Sequence, residues 1–245
     1  MTPAAAARGA MRRLEQLSRP SGTFDASRYF RGADGLGFRN IGATAVRMLA
    51  REIHLTHRAD WRVDEALAFA ETAMHSRFLE DKAVGVELLA RYRRAFSPRL
   101  LPVWKRWLAD DLASNWATTD AMCGLLIGPL VVAHPHLIPR VASWSRHGNL
   151  WVRRASAVGL IPSVRRGVGL DAAYDVAARL HADPADLIQK AVGWMLREAG
   201  KADARRLERY LRANGPAIPR TTVRYAIERF PPAQRRRLLT ATRAE

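Results

Sequence analysis

Apolar residues recur along most of the chain at the spacing of an amphipathic helix. In residues 63–78 and 82–96 they fall at positions i, i+3, i+4 and i+7, which is the period of one helix face. Three further segments show the same period: LLPVWKRWLADDLAS, LIQKAVGWMLREAG and ARRLERYLRANG. Glycine and proline fall between these segments and mark helix ends. Because alternating period-2 runs are absent, the pattern predicts an all-α chain.

A polar residue followed by alanine recurs at intervals of 34 to 38 residues. The pairs are Lys82-Ala83, Asp120-Ala121, Arg154-Ala155, Lys190-Ala191 and Tyr225-Ala226. That interval suits one helix pair per repeat, and no ankyrin or tetratricopeptide consensus is present. We therefore predict an α-α superhelix of HEAT-like repeats that forms a curved solenoid. The residues that this register places on its concave face are Lys82, Asp120, Arg154 and Lys190.

The repeat pattern does not extend over the whole chain. We predict one domain of residues 1–245, with an N-terminal helical cap in 1–60, helix-pair repeats in 61–230 and a tail or short helix in 231–245. The glycine-rich stretch 29–42 lacks the strand-then-helix setting and the spacing of a dinucleotide-binding loop. We therefore interpret it as a connection between two helices.

The charge of the chain points to a polyanionic partner. Lys and Arg number 40 against 23 Asp and Glu, which gives a net charge of +17. Nucleic acid is the leading candidate, and a basic concave groove would match a nucleic-acid backbone. The alternative explanation is a genome that favours arginine codons.

The cysteine count and the apolar runs indicate the cellular compartment of the protein. Cys123 is the only cysteine, so one chain can build neither a disulfide nor a cysteine-based metal site, which fits a reducing cytoplasm. The first 20 residues contain no apolar run long enough for a signal peptide, and because no run of 18 consecutive apolar residues occurs, we expect no transmembrane helix. We expect a cytoplasmic, nucleoid-associated protein without a membrane partner. The histidines show no ligand spacing, and we expect no metal and no cofactor.

Four residues form a candidate site if the repeats stack. Trp116 and Asp120 stand one helical turn apart, and Arg154 and Trp194 would meet them in the groove. Breaking a glycosidic bond passes through an oxocarbenium-like state, which a carboxylate between indoles stabilises. Arg154 would hold a phosphate of the same nucleotide. The structural alternative is that the tryptophans are core residues and that Asp120 caps a helix or forms an ion pair.

Other basic residues complete the prediction. Lys82 is a predicted DNA-binding residue. Lys190 is the only lysine that could act as a nucleophile for a lyase step, and we interpret it as a phosphate contact, so we predict no lyase step. Arg153 and Arg197 are predicted to be solvated or to touch phosphate.

Four segments together resemble the AlkD-like bacterial DNA alkylation-repair glycosylases, a family of HEAT-like repeats. The segments are RYFRG with GLGFRNIG, NWATTD, LWVRRASAV and IQKAVGWMLREAGK, and the resemblance runs from about Tyr29 to about residue 230. It implies that Asp120 is the catalytic aspartate, that Trp116 and Trp194 contact the lesion nucleotide and that Arg154 binds the backbone. It places Tyr29 near the cleft.

The resemblance also implies an activity. It predicts an enzyme that excises positively charged N3- and N7-alkylated purines, bulky adducts among them, from double-stranded DNA. The family needs no metal or organic cofactor and does not insert the lesion into a base pocket. We expect a monomer, because a solenoid groove must open to duplex DNA.

Two other functions remain open from the residues. The first is a non-catalytic HEAT-repeat protein that binds damaged or branched DNA, which charge and repeats support equally well. The second is a protein-interaction module, which predicts apolar concave patches and little affinity for DNA.

Overall fold

The computed structural model describes residues 1–20, 30 and 35–243, and these residues fold into helices. Among them the only β-type pairing is an isolated parallel bridge between Gly37 and Phe78. The predicted all-α fold is therefore confirmed. The chain divides into two compact units, Met1–Leu126 and Ile127–Glu245. The predicted single domain and the predicted basic groove concern both units together and stay predictions.

The described residues of the first unit form six α-helices. In chain order they are α1 (Pro3–Gln16), α2 (Ala43–His57), α3 (Val63–Met74), α4 (Leu79–Ala90), α5 (Leu101–Ala109) and α6 (Trp116–Met122). Helices α3 and α4 pack side by side, α1 packs on α3, and α2 and α6 pack on α4. Their common core is apolar and includes Leu14, Leu49, Phe69 and Leu88. Helix α4 is thus the central element of this unit.

The second unit begins within a π-helical turn, Cys123–Ile127, which follows α6. Its helices are α7 (Gly128–Ala133), α8 (Ile138–Ser143), α9 (Leu150–Val158), α10 (Ile161–Val164), α11 (Leu170–Leu180), α12 (Asp186–Ala202), α13 (Ala204–Asn214), α14 (Arg220–Ala226) and α15 (Pro232–Ala241). The longest, α12, packs against α9, α11 and α14. Helix α12 therefore has in this unit the central place that α4 has in the first.

The contact between α12 and α14 depends on a small residue. A Cβ atom built on Gly193 would lie 2.5 Å from the Cβ of Tyr225 and 2.8 Å from the carbonyl oxygen of Thr222. The Thr222 hydroxyl also donates a hydrogen bond to the carbonyl of Gln189 at 3.0 Å. The absence of a side chain at Gly193 thus lets the two helices touch through backbone atoms.

The run Trp116–Ala133 is helical, and it is long and apolar enough to cross a bilayer by length and composition alone. Half of it is buried inside the protein, and Met122, Leu126 and Leu130 are fully enclosed. A core helix of a soluble protein has the same composition. We therefore interpret the run as a core segment.

Candidate functional site

Helix α6, which carries Trp116 and Asp120, starts at a firmly held N-terminus. The Asn115 side chain accepts a hydrogen bond from the backbone N–H of Thr118 at 2.8 Å, which is a helix N-cap. The Thr119 hydroxyl donates to the carbonyl of Ala113 at 2.8 Å. Asn115, Thr118 and Thr119 are all buried. The first turn of α6 is therefore fixed to the unit by its inward side.

Trp116 and Asp120 lie on the other side of this helix. They stand one turn apart, and both are partly exposed while Thr118 and Thr119 between them are buried. The structure thus gives the predicted pair a shared, accessible helix face. Both residues make further interactions within the protein.

The Trp116 indole has an aromatic neighbour that sequence reasoning missed. The ring of Phe30 stacks on it at a centroid distance of 5.3 Å and an angle of 13°. Phe38 packs in turn on Phe30, with 5.0 Å between ring centroids. The only sequence signal for Phe30 is its place beside Tyr29 in the RYFRG segment. Tyr29 itself lies outside the described residues, so its predicted place near the cleft stays a prediction.

Residues 37–41, called the strap below, are held against the start of α4. The backbone N–H groups of Arg39 and Ile41 donate to the Glu80 carboxylate at 2.9 and 3.3 Å. The Arg39 guanidinium forms a buried, two-pronged ion pair with Asp81, with N–O distances of 2.8 and 2.9 Å. Gly37 pairs with the chain at Phe78, where a Cβ atom on Gly37 would lie 2.7 Å from the Phe78 ring. Phe38 of the aromatic stack therefore sits on an anchored segment.

Lys82 has a different environment from the one that the repeat register predicted. Its side chain is buried, with 7% of the residue exposed, and its ammonium donates to the carbonyls of Met74 at 2.5 Å and Leu112 at 2.8 Å. Burial lowers the pKa of Lys82 to about 8, against the opposing charge of Asp81. Lys82 therefore does not lie on an open surface as the repeat register suggested, and its predicted contact with DNA stays a prediction. Lys82 joins two backbone segments inside the first unit.

In the second unit Arg154 links α9 to the start of α12. It is 6% exposed, and its guanidinium donates a hydrogen bond to the carbonyl of Leu187. Lys190 lies one turn further along α12 and pairs with Asp186 at 2.7 Å, with 41% of the lysine side chain exposed. The hydrogen bond to Asp186 raises the pKa of Lys190, while burial and the charge of Arg154 oppose that shift. Two predicted site cations are thus neighbours in this unit.

Trp194 follows Lys190 by one turn on the same face of α12. The residue is partly exposed, yet its Nε1–H is buried and has no hydrogen-bond partner in the part of the chain that the structure describes. A buried N–H without a partner is uncommon, because an unmade hydrogen bond costs free energy. In the second unit Lys190 and Trp194 therefore share a helix face, and the buried Arg154 lies near Lys190.

Arg153 and Arg197 are engaged by the protein. Arg153 pairs with Asp183 at 2.7 Å and also donates to the carbonyls of His147 and Gly148. Arg197 pairs with Glu198 and Glu228. Both guanidinium groups are therefore paired with carboxylates, and their side chains are 21% and 18% exposed. A contact of either with phosphate stays a prediction.

The predicted residues therefore fall into two groups. Trp116 and Asp120 share a face in the first unit. In the second unit Lys190 and Trp194 share a face of α12, and the buried Arg154 of α9 lies near Lys190. That the two groups meet in one groove stays a prediction. Among the described residues, no group of three His, Cys, Asp or Glu side chains is placed to hold a metal ion.

Comparison with known proteins gives a family and a structural relative. A family model described as "DNA alkylation repair enzyme" matches residues 10–230. A solved structure titled "Predicted DNA alkylation repair enzyme from Enterococcus faecalis" is 18% identical and covers 88% of this chain and 97% of its own, with a TM-score of 0.76. At that identity the likeness shows a shared fold. A search of curated proteins gave no match.

Proposed function

Because the chain belongs to the family of DNA alkylation repair enzymes, we propose that it is a monofunctional DNA glycosylase that excises positively charged N3- and N7-alkylated purines. The family confirms the resemblance seen in the sequence and supports a role in the repair of alkylated DNA. The reaction, the substrates and the residues named below are our proposal.

An alkylated purine needs little help from a general acid. Alkylation at N3 or N7 makes the base cationic, so it leaves as a neutral molecule when the glycosidic bond breaks. The positive charge then develops on the deoxyribose as an oxocarbenium-like ion. The group that the reaction needs is therefore an anion placed beside the sugar.

Asp120 is the residue proposed for that task. Its carboxylate stands in a partly buried position, where a fixed negative charge acts more strongly than in bulk water. It would stabilise the oxocarbenium ion and orient the water that attacks it. The indoles of Trp116 and Trp194 would contact the lesion nucleotide, since their faces attract cations.

Arg154 and Lys190 would hold the DNA backbone. Their neighbouring positive charges suit a phosphate, and charge-assisted hydrogen bonds from guanidinium to phosphate are strong and directional. Fixing the phosphate fixes the sugar attached to it. The lesion would stay against these side chains and would not enter a base pocket, so bulky adducts would be tolerated.

One observation carries the proposal. Trp116 and Asp120 share an accessible helix face, while the residues between them lock the same helix to its unit. Catalysis by a fixed charge requires such pre-organisation, because a mobile carboxylate would reorient during the reaction.

The decisive experiment is the release of free base from duplex DNA that carries N3-methyladenine or N7-methylguanine. We expect Asp120→Asn to release base about 10²- to 10³-fold more slowly than wild type, as removal of one preorganised electrostatic group does. The matched control is Asp60→Asn, an exposed aspartate after α2, which should act like wild type.

Two outcomes would contradict the proposal. Equal rates for wild type and Asp120→Asn would show that Asp120 is not catalytic. Tight, salt-sensitive DNA binding without formation of abasic sites would favour the non-catalytic DNA-binding protein that the sequence also allows.

A further inference from the structure

Three consecutive charged residues follow Leu79 in the first turn of α4, and all three are buried. Glu80, Asp81 and Lys82 are 7%, 1% and 7% exposed. Burying charge is unfavourable unless each group finds partners. The partners of these three side chains lie in three chain segments. Met74 and Ser76 belong to the end of α3 and the turn after it. The other two segments, the turn before α6 and the strap, lead to Trp116.

The first of these segments is the turn between α5 and α6. Lys82 donates to the carbonyl of Leu112, and Asp111 beside it adopts a left-handed backbone conformation with φ 59°. Three residues after Leu112 comes Asn115, the N-cap of α6, and Trp116 is the first residue of that helix. The Lys82 ammonium therefore fixes the turn that sets the start of α6.

The second segment is the strap. Glu80 holds its backbone at Arg39 and Ile41, and Asp81 holds the Arg39 guanidinium. The strap carries Phe38, which packs on Phe30, and Phe30 stacks on the Trp116 indole. The strap therefore positions the side chain of Trp116 through the aromatic stack. Lys82 instead positions the backbone of Trp116 through the turn before α6.

We propose that Glu80, Asp81 and Lys82 are positioning residues, which hold the Trp116 indole from two sides through the turn before α6 and the Phe38–Phe30 stack. The geometric part of this proposal is independent of the reaction. Its catalytic consequence rests on the proposed function, in which Trp116 contacts the lesion nucleotide.

Fluorine NMR of protein labelled with 5-fluorotryptophan tests the geometric part. The chain has seven tryptophans, and a Trp116→Phe variant identifies the Trp116 resonance. We expect Lys82→Met to shift or broaden that resonance and to leave those of Trp61 and Trp144 unchanged. Lys82→Arg keeps donors for the two carbonyls and should return the resonance toward its wild-type position.

Two further variants separate positioning from general stability. Phe30→Leu should move the same Trp116 resonance through the aromatic stack, and it tests the strap side even if Lys82→Met does not fold. Leu88→Ala removes a fully buried side chain from the same helix. It should lower the melting temperature yet leave the Trp116 resonance in place.

Base release under single-turnover conditions tests the catalytic consequence. For Lys82→Met we expect a rate about 10- to 100-fold below wild type, since small misplacements of reacting groups have effects of that size. DNA affinity should stay near the wild-type value, and Leu88→Ala should retain the wild-type rate below its melting temperature.

The two proposals fail in different ways. If wild type releases no base but Lys82→Met moves the Trp116 resonance, the positioning role stands and the glycosylase proposal is wrong. If wild type releases base while Lys82→Met and Phe30→Leu change neither resonance nor rate, the positioning role is wrong.

Discussion

Glu198 shows how single charged side chains support the second unit. Its carboxylate is 1% exposed and accepts hydrogen bonds from Arg165 at 2.9 Å and Lys201 at 2.7 Å. Burial would raise the pKa of Glu198, but these hydrogen bonds lower it to about 2. The folded state therefore favours the ionised carboxylate more than the unfolded state does.

We expect Glu198→Gln to lower the free energy of unfolding at pH 7 by about 1–3 kcal/mol, because the buried side chain loses the charge that pairs with Arg165 and Lys201 and one of its two acceptor oxygens becomes a donor. The contribution of Glu198 is fully present above its ordinary pKa of 4.5 and is lost as the pH falls through about 2. The difference between wild type and variant should thus shrink over that range in denaturant titrations.

The matched control is Glu52→Gln, which breaks an ion pair with Arg13 whose side chains are both more than half exposed. That change should lower stability by less than about 1 kcal/mol. A Glu198→Gln effect as small as this one would contradict the prediction.

Residue roles could be predicted from the sequence only in part. The repeat register treats Lys82 and Lys190 as equivalent, yet Lys82 is buried and Lys190 is 41% exposed. Spacing fixes the place of a residue on its helix but not which distant segment packs over it. Lys82 is covered by the end of α3 and the turn before α6, and no local pattern encodes that contact. The stack of Phe30 on Trp116 was missed for the same reason.

At the scale of elements, helix type was predictable and helix ends were not. The apolar period predicted a helix over 63–78, but α3 ends at Met74. Residues 75–77 form a turn, and the strap pairs with the next residue, Phe78, through Gly37. The apolar period reports only which face of a helix is buried. Helix α3 ends close to the point where the strap, which is distant in sequence, packs against the chain.

Gly193 gives a prediction at this scale. Gly193→Ala places a Cβ atom against Tyr225 and the backbone at Thr222, so α12 and α14 must move apart. We expect a loss of about 1–3 kcal/mol in the free energy of unfolding, as for other overpacked sites. Urea denaturation measures it.

Gly9→Ala in α1 is the control for helix propensity. A Cβ atom at Gly9 meets only the end of the flexible Arg12 side chain at 3.9 Å. Alanine should therefore stabilise α1 by up to about 1 kcal/mol. Equal and favourable effects at Gly9 and Gly193 would show that the α12–α14 contact tolerates a side chain.

The whole molecule carries a net charge of +17, which bears on DNA binding. For about six phosphate contacts, affinity for duplex DNA should fall roughly 10³-fold between about 50 and 200 mM salt. Filter binding or fluorescence anisotropy across that range measures the slope. A flat salt response would contradict a backbone-binding role and favour the protein-interaction module.

The two lysines of the repeat register should differ in this assay. Lys190→Gln removes a proposed phosphate contact, so the logarithmic salt slope should become shallower by about one. Lys82→Met should leave the slope unchanged, because a buried ammonium displaces no counterions from DNA. Equal slopes for the two variants would contradict the separation of their roles.

Because of its position, Cys123 can serve as a natural probe of local unfolding. The sulfur belongs to the π-helical turn after α6 and is fully enclosed, and the sequence offers no second thiol to compete with it. A maleimide can modify it only while that turn is transiently unravelled. The rate at which a maleimide labels the wild-type protein therefore measures how often the segment next to Asp120 opens. No engineered probe is needed.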